Sequence, residues 1–201
     1  MEKLLVYGGT FNPIHNGHLH LAQAFLSITG AKHLLLVPTR VPPHKRAKSL
    51  ASGAMRLEMC RLAIEGREGW QASPMEIERP GPSYTADTLD ELAARYPGTA
   101  LYFVTGEDMF LTLLDWHDPA RILRRAVICA APRSLEGLSR MQAYGKKIEE
   151  AGGRVLVRDV AYLPVSSTQV RAEVAAGRPI DRLVPPKVAR FIAENSLYRE
   201  L

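Results

Sequence analysis

The chain alternates short runs of apolar residues with longer stretches in which apolar residues recur at helical spacing. Strand-like runs are predicted at 3–7, 33–37, 70–76, 100–105, 125–130 and 154–158. Helical periodicity predicts helices at 18–29, 52–66, 85–96 and 135–151. This alternation predicts an α/β fold of the Rossmann-like, doubly wound type, with a mostly parallel sheet and helices on both faces.

No repeat, long linker or low-complexity tract interrupts this alternation. The 201 residues suffice for one substantial core, so we expect a single domain over 1–201. No apolar stretch is long enough to span a bilayer, and the N-terminus lacks the long apolar region of a signal peptide. The two cysteines, Cys60 and Cys129, lie in apolar-patterned stretches. We expect both to be reduced core residues of a cytoplasmic protein without a membrane partner.

The formal net charge of +5 suits a polyanionic ligand but identifies none. Nucleic acid is the obvious competing ligand. However, the lysines and arginines are spread along the chain, without a dense basic run or an aromatic-basic pattern. The sequence therefore favours a small anionic ligand over nucleic acid. It is compatible with a homo-oligomer.

The segment after the first predicted strand is the richest in candidate chemistry. It reads Gly8-Gly9-Thr10-Phe11-Asn12-Pro13-Ile14-His15-Asn16-Gly17-His18 and runs into a predicted helix. Glycines allow backbone N–H groups to approach an anion, and a helix start supplies unpaired donors and partial positive charge. Ligands of such sheets bind beyond the carboxyl ends of strands, where this segment stands. It therefore predicts a phosphate-binding loop.

His15 and His18 make this loop more specific than a generic glycine-rich turn. Either imidazole can donate a hydrogen bond to a phosphate oxygen or carry charge near neutral pH. By themselves, two histidines could also bind a metal or merely cap a loop. A metal would want a third ligand, and no Cys or acidic residue stands at convincing spacing nearby. We expect no metal site built by the protein itself.

The whole run, with His-x-Gly-His behind Gly-Gly-Thr-Phe-Asn-Pro, resembles the signature of the nucleotidyltransferase superfamily. Members of that superfamily join an acceptor to the AMP half of ATP. A dehydrogenase that uses a dinucleotide is poorly supported, because the loop has no Gly-x-Gly-x-x-Gly pattern.

Ser166-x-Thr168-x-x-Arg171 stands before an apolar-periodic stretch that ends near Gly177. By itself the segment is typical of a helix cap, worth about 1 kcal/mol. The same geometry can hold phosphate, with Arg171 adding a planar charged fork. Because it follows the first motif in the expected order, the segment resembles the second motif of the superfamily, which grips the β- and γ-phosphates of ATP.

Three further segments bear on the acceptor: Arg40-Val41-Pro42-Pro43-His44-Lys45, Pro82-Ser83-Tyr84-Thr85, and Gly106-Glu107-Asp108 with Trp116. Together with the two motifs they resemble the bacterial nicotinate-nucleotide adenylyltransferase family, essentially end to end. That resemblance implies transfer of AMP from ATP to nicotinate mononucleotide (NaMN), which gives deamido-NAD and pyrophosphate in NAD biosynthesis. It also implies Mg²⁺ bound with ATP, held mainly by phosphates and water.

The resemblance assigns roles by position. His15 and His18 are implied as catalytic residues at the reacting phosphates. ATP-binding positions are implied at Gly8, Gly9, Thr10, Phe11, Gly106, Asp108, Ser166, Thr168 and Arg171. Acceptor-binding positions are implied at His44, Lys45, Thr85 and Trp116. Without the resemblance, Trp116 would be interpreted as a half-buried core aromatic, Asp108 as a helix cap and Lys45 as a solvated surface lysine.

Two positions depart from the family pattern. Asn12 stands where many relatives have Asp; it can make the same local turn but carries no charge. The order Pro132-Arg133-Ser134 replaces the Arg-Pro-Gly of many relatives, so Arg133 is not assigned to the site. Two alternative functions stay open: adenylyl transfer to nicotinamide mononucleotide (NMN) or phosphopantetheine, and non-catalytic nucleotide binding.

Overall fold

A computed structural model describes residues 1–40 and 50–199. Its centre is a six-stranded sheet with the strand order β3-β2-β1-β4-β5-β6, the order typical of doubly wound α/β folds. The strands are β1 (Lys3–Gly9), β2 (His33–Pro38), β3 (Trp70–Ala72), β4 (Ala100–Thr105), β5 (Ala126–Ala130) and β6 (Arg154–Val157). The predicted fold class is confirmed.

The strands β1, β4, β5 and β6 pair in parallel. β1 pairs with β4, β4 with β5, and β5 with β6, and Val6 lies opposite Phe103 in the first of these pairs. Leu5 and Val6 are both fully buried, although their side chains point to opposite faces of the strand. A strand that is apolar on both faces must be covered on both, as parallel sheets with crossover helices are.

Nine α-helices lie within the described ranges, together with a 3₁₀ turn at Leu113–Asp115. They are α1 (Asn16–Thr29), α2 (Gly53–Ile64), α3 (Met75–Glu78), α4 (Thr85–Arg95), α5 (Glu107–Phe110), α6 (Pro119–Arg125), α7 (Leu135–Glu150), α8 (Ser167–Ala175) and α9 (Pro186–Glu194). Serine side chains cap α2, α7 and α8 by accepting a backbone N–H of the first turn. The four helices predicted from periodicity are α1, α2, α4 and α7, each found within two residues of its predicted bounds.

The predicted strand at 70–76 is wrong in its second half. β3 ends at Ala72, and Met75 begins α3 instead. Pro74 has no N–H to give to a strand ladder, and its backbone already has helical angles, with φ −79° and ψ −1°. Met75 is buried, and an apolar residue at a buried position fits a strand as well as a helix.

The chain forms two compact units, each built from several segments. The first unit contains Met1–Gly8, Leu21–Leu35 and Tyr84–Tyr162, and the second contains Gly9–His20, Leu36–Ser83 and Leu163–Leu201. The single domain over 1–201 stays a prediction. In the first unit, Arg121 of α6 pairs with Asp87 and Asp90 of α4 and so ties these two helices together.

Two expectations about composition can be compared with the described residues. Cys60 and Cys129 are both buried and free of disulfide bonds, as predicted. In the ranges 1–40 and 50–199, no helix has the length and apolar character needed to cross a bilayer.

Candidate active site

The loop after β1 opens the second unit and leads directly into α1. Phe11 adopts a left-handed backbone conformation, with φ 46°, which is uncommon for a bulky residue. Its ring is buried and meets the ring of His18 edge to face, with the centroids 5.1 Å apart. Ile14 is fully buried, so the loop is anchored by apolar groups on both sides of Asn12 and Pro13.

His15 and His18 stack on each other at the start of α1. Their ring centroids are 3.6 Å apart, with 28° between the ring planes. The backbone N–H of His15 donates to Nδ1 of His18 over 3.2 Å. Because Nδ1 of His18 is an acceptor, the neutral ring carries its proton on Nε2. In the neutral ring of His18 the N–H donor is therefore Nε2–H.

Both histidines are held in the neutral form by burial. Burial lowers the pKa of His15 to about 4. Burial, and then the neighbouring His15 ring, lower the pKa of His18 well below its ordinary value. At neutral pH, without a bound anion, the pair thus offers hydrogen bonds rather than charge. The buried Nδ1 of His15 has no hydrogen-bond partner among the described residues.

Glycines keep this loop tightly packed. A Cβ atom at Gly9 would lie 3.1 Å from the Phe11 ring, and one at Gly17 would lie 3.1 Å from Nδ1 of His15. At Gly17 the same atom would also lie 3.2 Å from the Val165 carbonyl oxygen. Gly17 is thus the point at which the histidine pair approaches the segment before α8, and it leaves no room for a side chain.

The start of α8 packs against the same loop within the second unit. Ser166 is the N-cap, and its hydroxyl oxygen accepts the Gln169 N–H over 3.1 Å. Ser167 donates its hydroxyl to the Pro13 carbonyl over 2.8 Å. Ser166 therefore caps α8, and its neighbour Ser167 bonds this helix start to the histidine loop.

Arg171 and Thr168 complete this part of the site. Nη1 of Arg171 donates to the Asn12 carbonyl over 2.8 Å, and its Nη2 reaches the Thr168 hydroxyl over 3.4 Å. Nε of Arg171 is buried without a hydrogen-bond partner in the described part of the chain. The two sequence motifs, separated by about 150 residues, thus meet through the backbone carbonyls of Asn12 and Pro13.

In the first unit, the Phe103 ring lies against two predicted site residues, Gly8 and Trp116. A Cβ atom at Gly8 would lie 3.1 Å from the Phe103 ring, which explains a glycine there without any ligand. Trp116 is half-buried and meets Phe103 edge to face at 6.3 Å, and its indole N–H donates to the Thr112 hydroxyl. This contact is what a half-buried core aromatic would make, and it leaves a ligand role for Trp116 as a prediction.

Thr85 begins α4, directly after Tyr84. The Tyr84 ring stacks on His117, with the centroids 4.0 Å apart, and this ties the start of α4 to the residue after Trp116. Sequence reasoning singled out Thr85 and Trp116 and missed this stacked pair, which connects their neighbours.

Gly106 is the N-cap residue of α5, and Asp108 lies in the first turn of that helix. The helix has no side-chain cap, so the alternative interpretation of Asp108 as a cap is wrong. Its side chain is largely exposed and pairs with Arg133 over 3.0 Å. The backbone N–H of Arg133 donates to the buried carboxylate of Glu107 over 2.7 Å. Arg133 therefore stands beside a predicted ATP-binding residue.

Two predicted acceptor residues, His44 and Lys45, lie outside the described residues. Within the residues that the structure describes, no cluster of three or more His, Cys, Asp or Glu could hold a metal ion.

Three residues around the histidine loop carried no clear signal in the sequence: Arg56, Tyr198 and Ala51. Arg56 is fully buried, and its guanidinium donates to the carbonyls of Thr10, Arg40 and Ala51. Tyr198 donates its hydroxyl to the side-chain oxygen of Asn12. The only hint was the position of Arg56 one helical turn before Cys60, on the apolar face of a predicted helix.

Comparisons with known proteins cover almost the whole chain. Residues 6–173 match the family model described as cytidylyltransferase-like. The chain is 35% identical over 198 residues to the nicotinate-nucleotide adenylyltransferase of Bacillus subtilis, covering 98% of this chain and 99% of that protein. It is 37% identical over 202 residues to a Symbiobacterium thermophilum protein named as a probable nicotinate-nucleotide adenylyltransferase, covering 98% and 96%.

A solved structure supports the fold. The Plasmodium falciparum nicotinic acid mononucleotide adenylyltransferase, complexed with NaAD, superposes with a TM-score of 0.77. The alignment covers 99% of this chain and 98% of that one at 17% identity.

Proposed function

The chain belongs to the cytidylyltransferase-like family, and from this premise we propose that it transfers AMP from ATP to nicotinate mononucleotide. The products are deamido-NAD and pyrophosphate, so the protein is a nicotinate-nucleotide adenylyltransferase of NAD biosynthesis. The assignment of the acceptor is supported by end-to-end similarity to relatives that carry this name.

One geometric observation carries the transferase chemistry: the histidine loop and the start of α8 meet at Asn12, through Nη1 of Arg171. The stacked imidazoles belong to this loop, and the guanidinium of Arg171 binds it from α8. Imidazole N–H groups and guanidinium forks are donors suited to phosphate oxygens. The arrangement therefore suits a polyphosphate chain.

The reaction needs no protein base. The 5′-phosphate of the acceptor is already an anion at neutral pH, and one of its oxygens attacks the α-phosphorus of ATP as pyrophosphate leaves. Catalysis then comes from holding the two phosphates in line and from donors that stabilise the charge developing on the α-phosphoryl oxygens and the leaving group.

His18 and His15 are the proposed donors at the reacting phosphates. His18 offers Nε2–H, because its Nδ1 is occupied by the His15 backbone N–H. The Nδ1 atom of His15 is buried and has no hydrogen-bond partner within 1–40 and 50–199. Both rings are neutral before the anion binds, so their contribution begins as hydrogen bonding and gains charge only if the phosphates raise their pKa.

Ser166, Thr168 and Arg171 are the proposed contacts of the β- and γ-phosphates. Gly9, Thr10 and Phe11 belong to the same unit and are proposed to contact ATP through their backbone. Mg²⁺ enters as part of the substrate, bound by the triphosphate and water. The ion neutralises phosphate charge, and no step of the protein's own residues depends on its coordination.

The first unit supplies the remaining proposed contacts. Trp116 and Thr85 are assigned to the pyridine ring of the acceptor, and Gly8, Gly106 and Asp108 to the adenosine part of ATP. The stacked pair of Tyr84 and His117 holds the segments of Thr85 and Trp116 and so supports the first assignment. His44 and Lys45 remain assigned to the acceptor. A cytoplasmic location and a homo-oligomer also stay predictions.

Product analysis tests this function. The protein is incubated with Mg-ATP and either NaMN, NMN or phosphopantetheine, and the products are identified by mass spectrometry. We expect deamido-NAD and pyrophosphate in equal amounts with NaMN. Products with another acceptor only would overturn the substrate, and no product with any acceptor would support the alternative of a non-catalytic nucleotide-binding protein.

A further inference from the structure

Asn12 is the centre of a buried hydrogen-bond cluster in the second unit. Its backbone carbonyl accepts Nη1 of Arg171, and its side-chain oxygen accepts two donors. These donors are the Ala51 N–H at 3.1 Å and the Tyr198 hydroxyl at 2.7 Å. Because a backbone N–H can only donate, the amide oxygen occupies this side of Asn12, and the Tyr198 hydroxyl must donate as well. Asn12 and Tyr198 are both at least nine-tenths buried.

A second guanidinium borders the same cluster. Nε of Arg56 donates to the carbonyl of Ala51 over 3.0 Å, while the N–H of Ala51 donates to Asn12. Nη1 of Arg56 donates to the carbonyl of Thr10 over 2.7 Å. Arg56 has none of its side chain exposed. Arg171 thus binds the backbone carbonyl of Asn12, and Arg56 binds the carbonyls of Thr10 and Ala51.

Neither guanidinium has a carboxylate partner among the residues that the structure describes; all the hydrogen bonds just given lead to carbonyl or hydroxyl oxygens. Burial raises the pKa of Tyr198, and the positive charges of Arg171 and Arg56 oppose that rise. Burying guanidinium charges without a counter-ion is costly unless a ligand anion compensates them.

We propose that the neutral amide of Asn12 is a positioning and specificity-determining group, which leaves the charges of Arg171 and Arg56 uncompensated so that they attract the pyrophosphate part of ATP. This rests on the proposed function, in which Arg171 contacts the β- and γ-phosphates. Asn12 acts through Arg171: its carbonyl orients the guanidinium, and its side chain satisfies two buried donors without adding negative charge.

Asn12→Asp changes the charge of this position and keeps an acceptor for the Ala51 and Tyr198 donors. An aspartate has nearly the same shape, but it carries a negative charge and lacks the amide N–H groups. We expect the Kd of pyrophosphate, measured with Mg²⁺ by titration calorimetry, to rise about tenfold. We expect the KM for ATP to rise in parallel with a smaller change in kcat. The urea midpoint of unfolding should fall less than in Asn12→Ala, because an acceptor for the Ala51 and Tyr198 donors is kept.

Two control variants define what the result means. Asn12→Ala removes the acceptor of the Ala51 and Tyr198 donors and should lower the urea midpoint. Asn195→Asp adds the same charge at the exposed end of α9 and should leave pyrophosphate binding within twofold of wild type. An Asn12→Asp variant that binds pyrophosphate as tightly as wild type would overturn the proposal. An Asn12→Asp variant destabilised as much as Asn12→Ala would overturn it too, since hydrogen bonding alone would then explain the position.

Pyrophosphate binding and acceptor use are measured separately so that the two proposals can fail independently. If the wild-type protein binds pyrophosphate, with the expected loss in Asn12→Asp, but does not use NaMN, the proposed acceptor is wrong and the role of Asn12 stands. If the wild-type protein converts NaMN to deamido-NAD but Asn12→Asp has the same Kd for pyrophosphate as wild type, the role of Asn12 is wrong and the function stands.

Discussion

At the scale of single residues, the site depends on donors that burial has already oriented. His18 illustrates this, because the His15 backbone N–H occupies Nδ1 and so directs the remaining proton to Nε2. A preorganised donor of this kind acts on the transition state more than on substrate binding. The histidine pattern was visible in the sequence, but the tautomer was not, since it depends on a contact that only the helix start creates.

His18→Ala tests this role. Loss of one preorganised donor to a transition-state oxygen typically lowers kcat by about 10²–10³. We therefore expect kcat to fall by that factor, with much less change in the KM for ATP, in steady-state assays of pyrophosphate release. His20→Ala, at an exposed position two residues further on α1, is the matched control and should keep wild-type kcat. An unchanged kcat in His18→Ala would remove His18 from catalysis.

Gly17→Ala tests whether the packing around the pair matters. The new methyl group would lie 3.1 Å from the His15 ring and 3.2 Å from the Val165 carbonyl, so the ring or the backbone must shift. We expect kcat to fall about tenfold, because a displacement near 1 Å can cost a hundredfold and this one is smaller. Gly145→Ala in α7, where the methyl group meets Val155 at an ordinary 3.4 Å, should keep full activity. Equal kcat in both variants would contradict a positional constraint at Gly17.

At the scale of elements, α8 combines a structural cap with the proposed phosphate contact. Ser166→Ala should lower the free energy of unfolding by about 1 kcal/mol and also raise the KM for ATP several-fold. Ser134 caps α7 in the same way, by accepting the Gly137 N–H. Ser134→Ala should therefore cost similar stability, measured by urea unfolding, without the change in KM. If Ser166→Ala and Ser134→Ala have the same effect on the KM for ATP, Ser166 acts only as a cap.

The same scale shows where sequence reasoning succeeds and fails. Long helices with apolar residues on one face, such as α4 and α7, were predicted within one residue of their bounds. Helix α9 was missed, although Val188, Phe191 and Ile192 stand at helical spacing in the sequence. The first two residues of α3, Met75 and Glu76, were predicted as strand, because an apolar residue such as Met75 fits either a strand or a helix.

At the scale of the whole molecule, the fold class could be predicted because strand and helix patterns alternate along the entire chain. The candidate site was predicted only where local motifs carry it. The bond between Tyr198 and Asn12 joins residues 186 positions apart and has no local pattern. Arg56 gave only the hint of its place on an apolar helix face, since its burial depends on carbonyls that three separate segments supply.

Burial of the histidine pair predicts a pH dependence of stability. The pKa of His15 is about 4 in the folded protein, against about 6.5 in the unfolded chain. Between these values the unfolded chain binds more protons, so the free energy of unfolding should fall as the pH drops below about 6.5. The pKa of His18 is lowered in the same direction, and each group contributes at most about 1.4 kcal/mol per pH unit.

Urea unfolding at about pH 7 and about pH 5 measures this dependence. His15→Gln should reduce the loss of stability between the two pH values. His33→Gln is the control, because His33 is more than half exposed and should leave the loss unchanged. An equal pH dependence in wild type and His15→Gln would contradict the buried neutral state of His15.

The most direct test of the account is the ratio of kcat/KM values for NaMN and NMN in the release of pyrophosphate from Mg-ATP. The two acceptors differ only in a carboxylate against an amide on the pyridine ring. A site built for one leaves buried polar groups unpaired with the other, which can discriminate strongly. We predict a kcat/KM for NaMN at least about a hundredfold higher. Equal values, or a preference for NMN, would contradict a nicotinate-nucleotide adenylyltransferase.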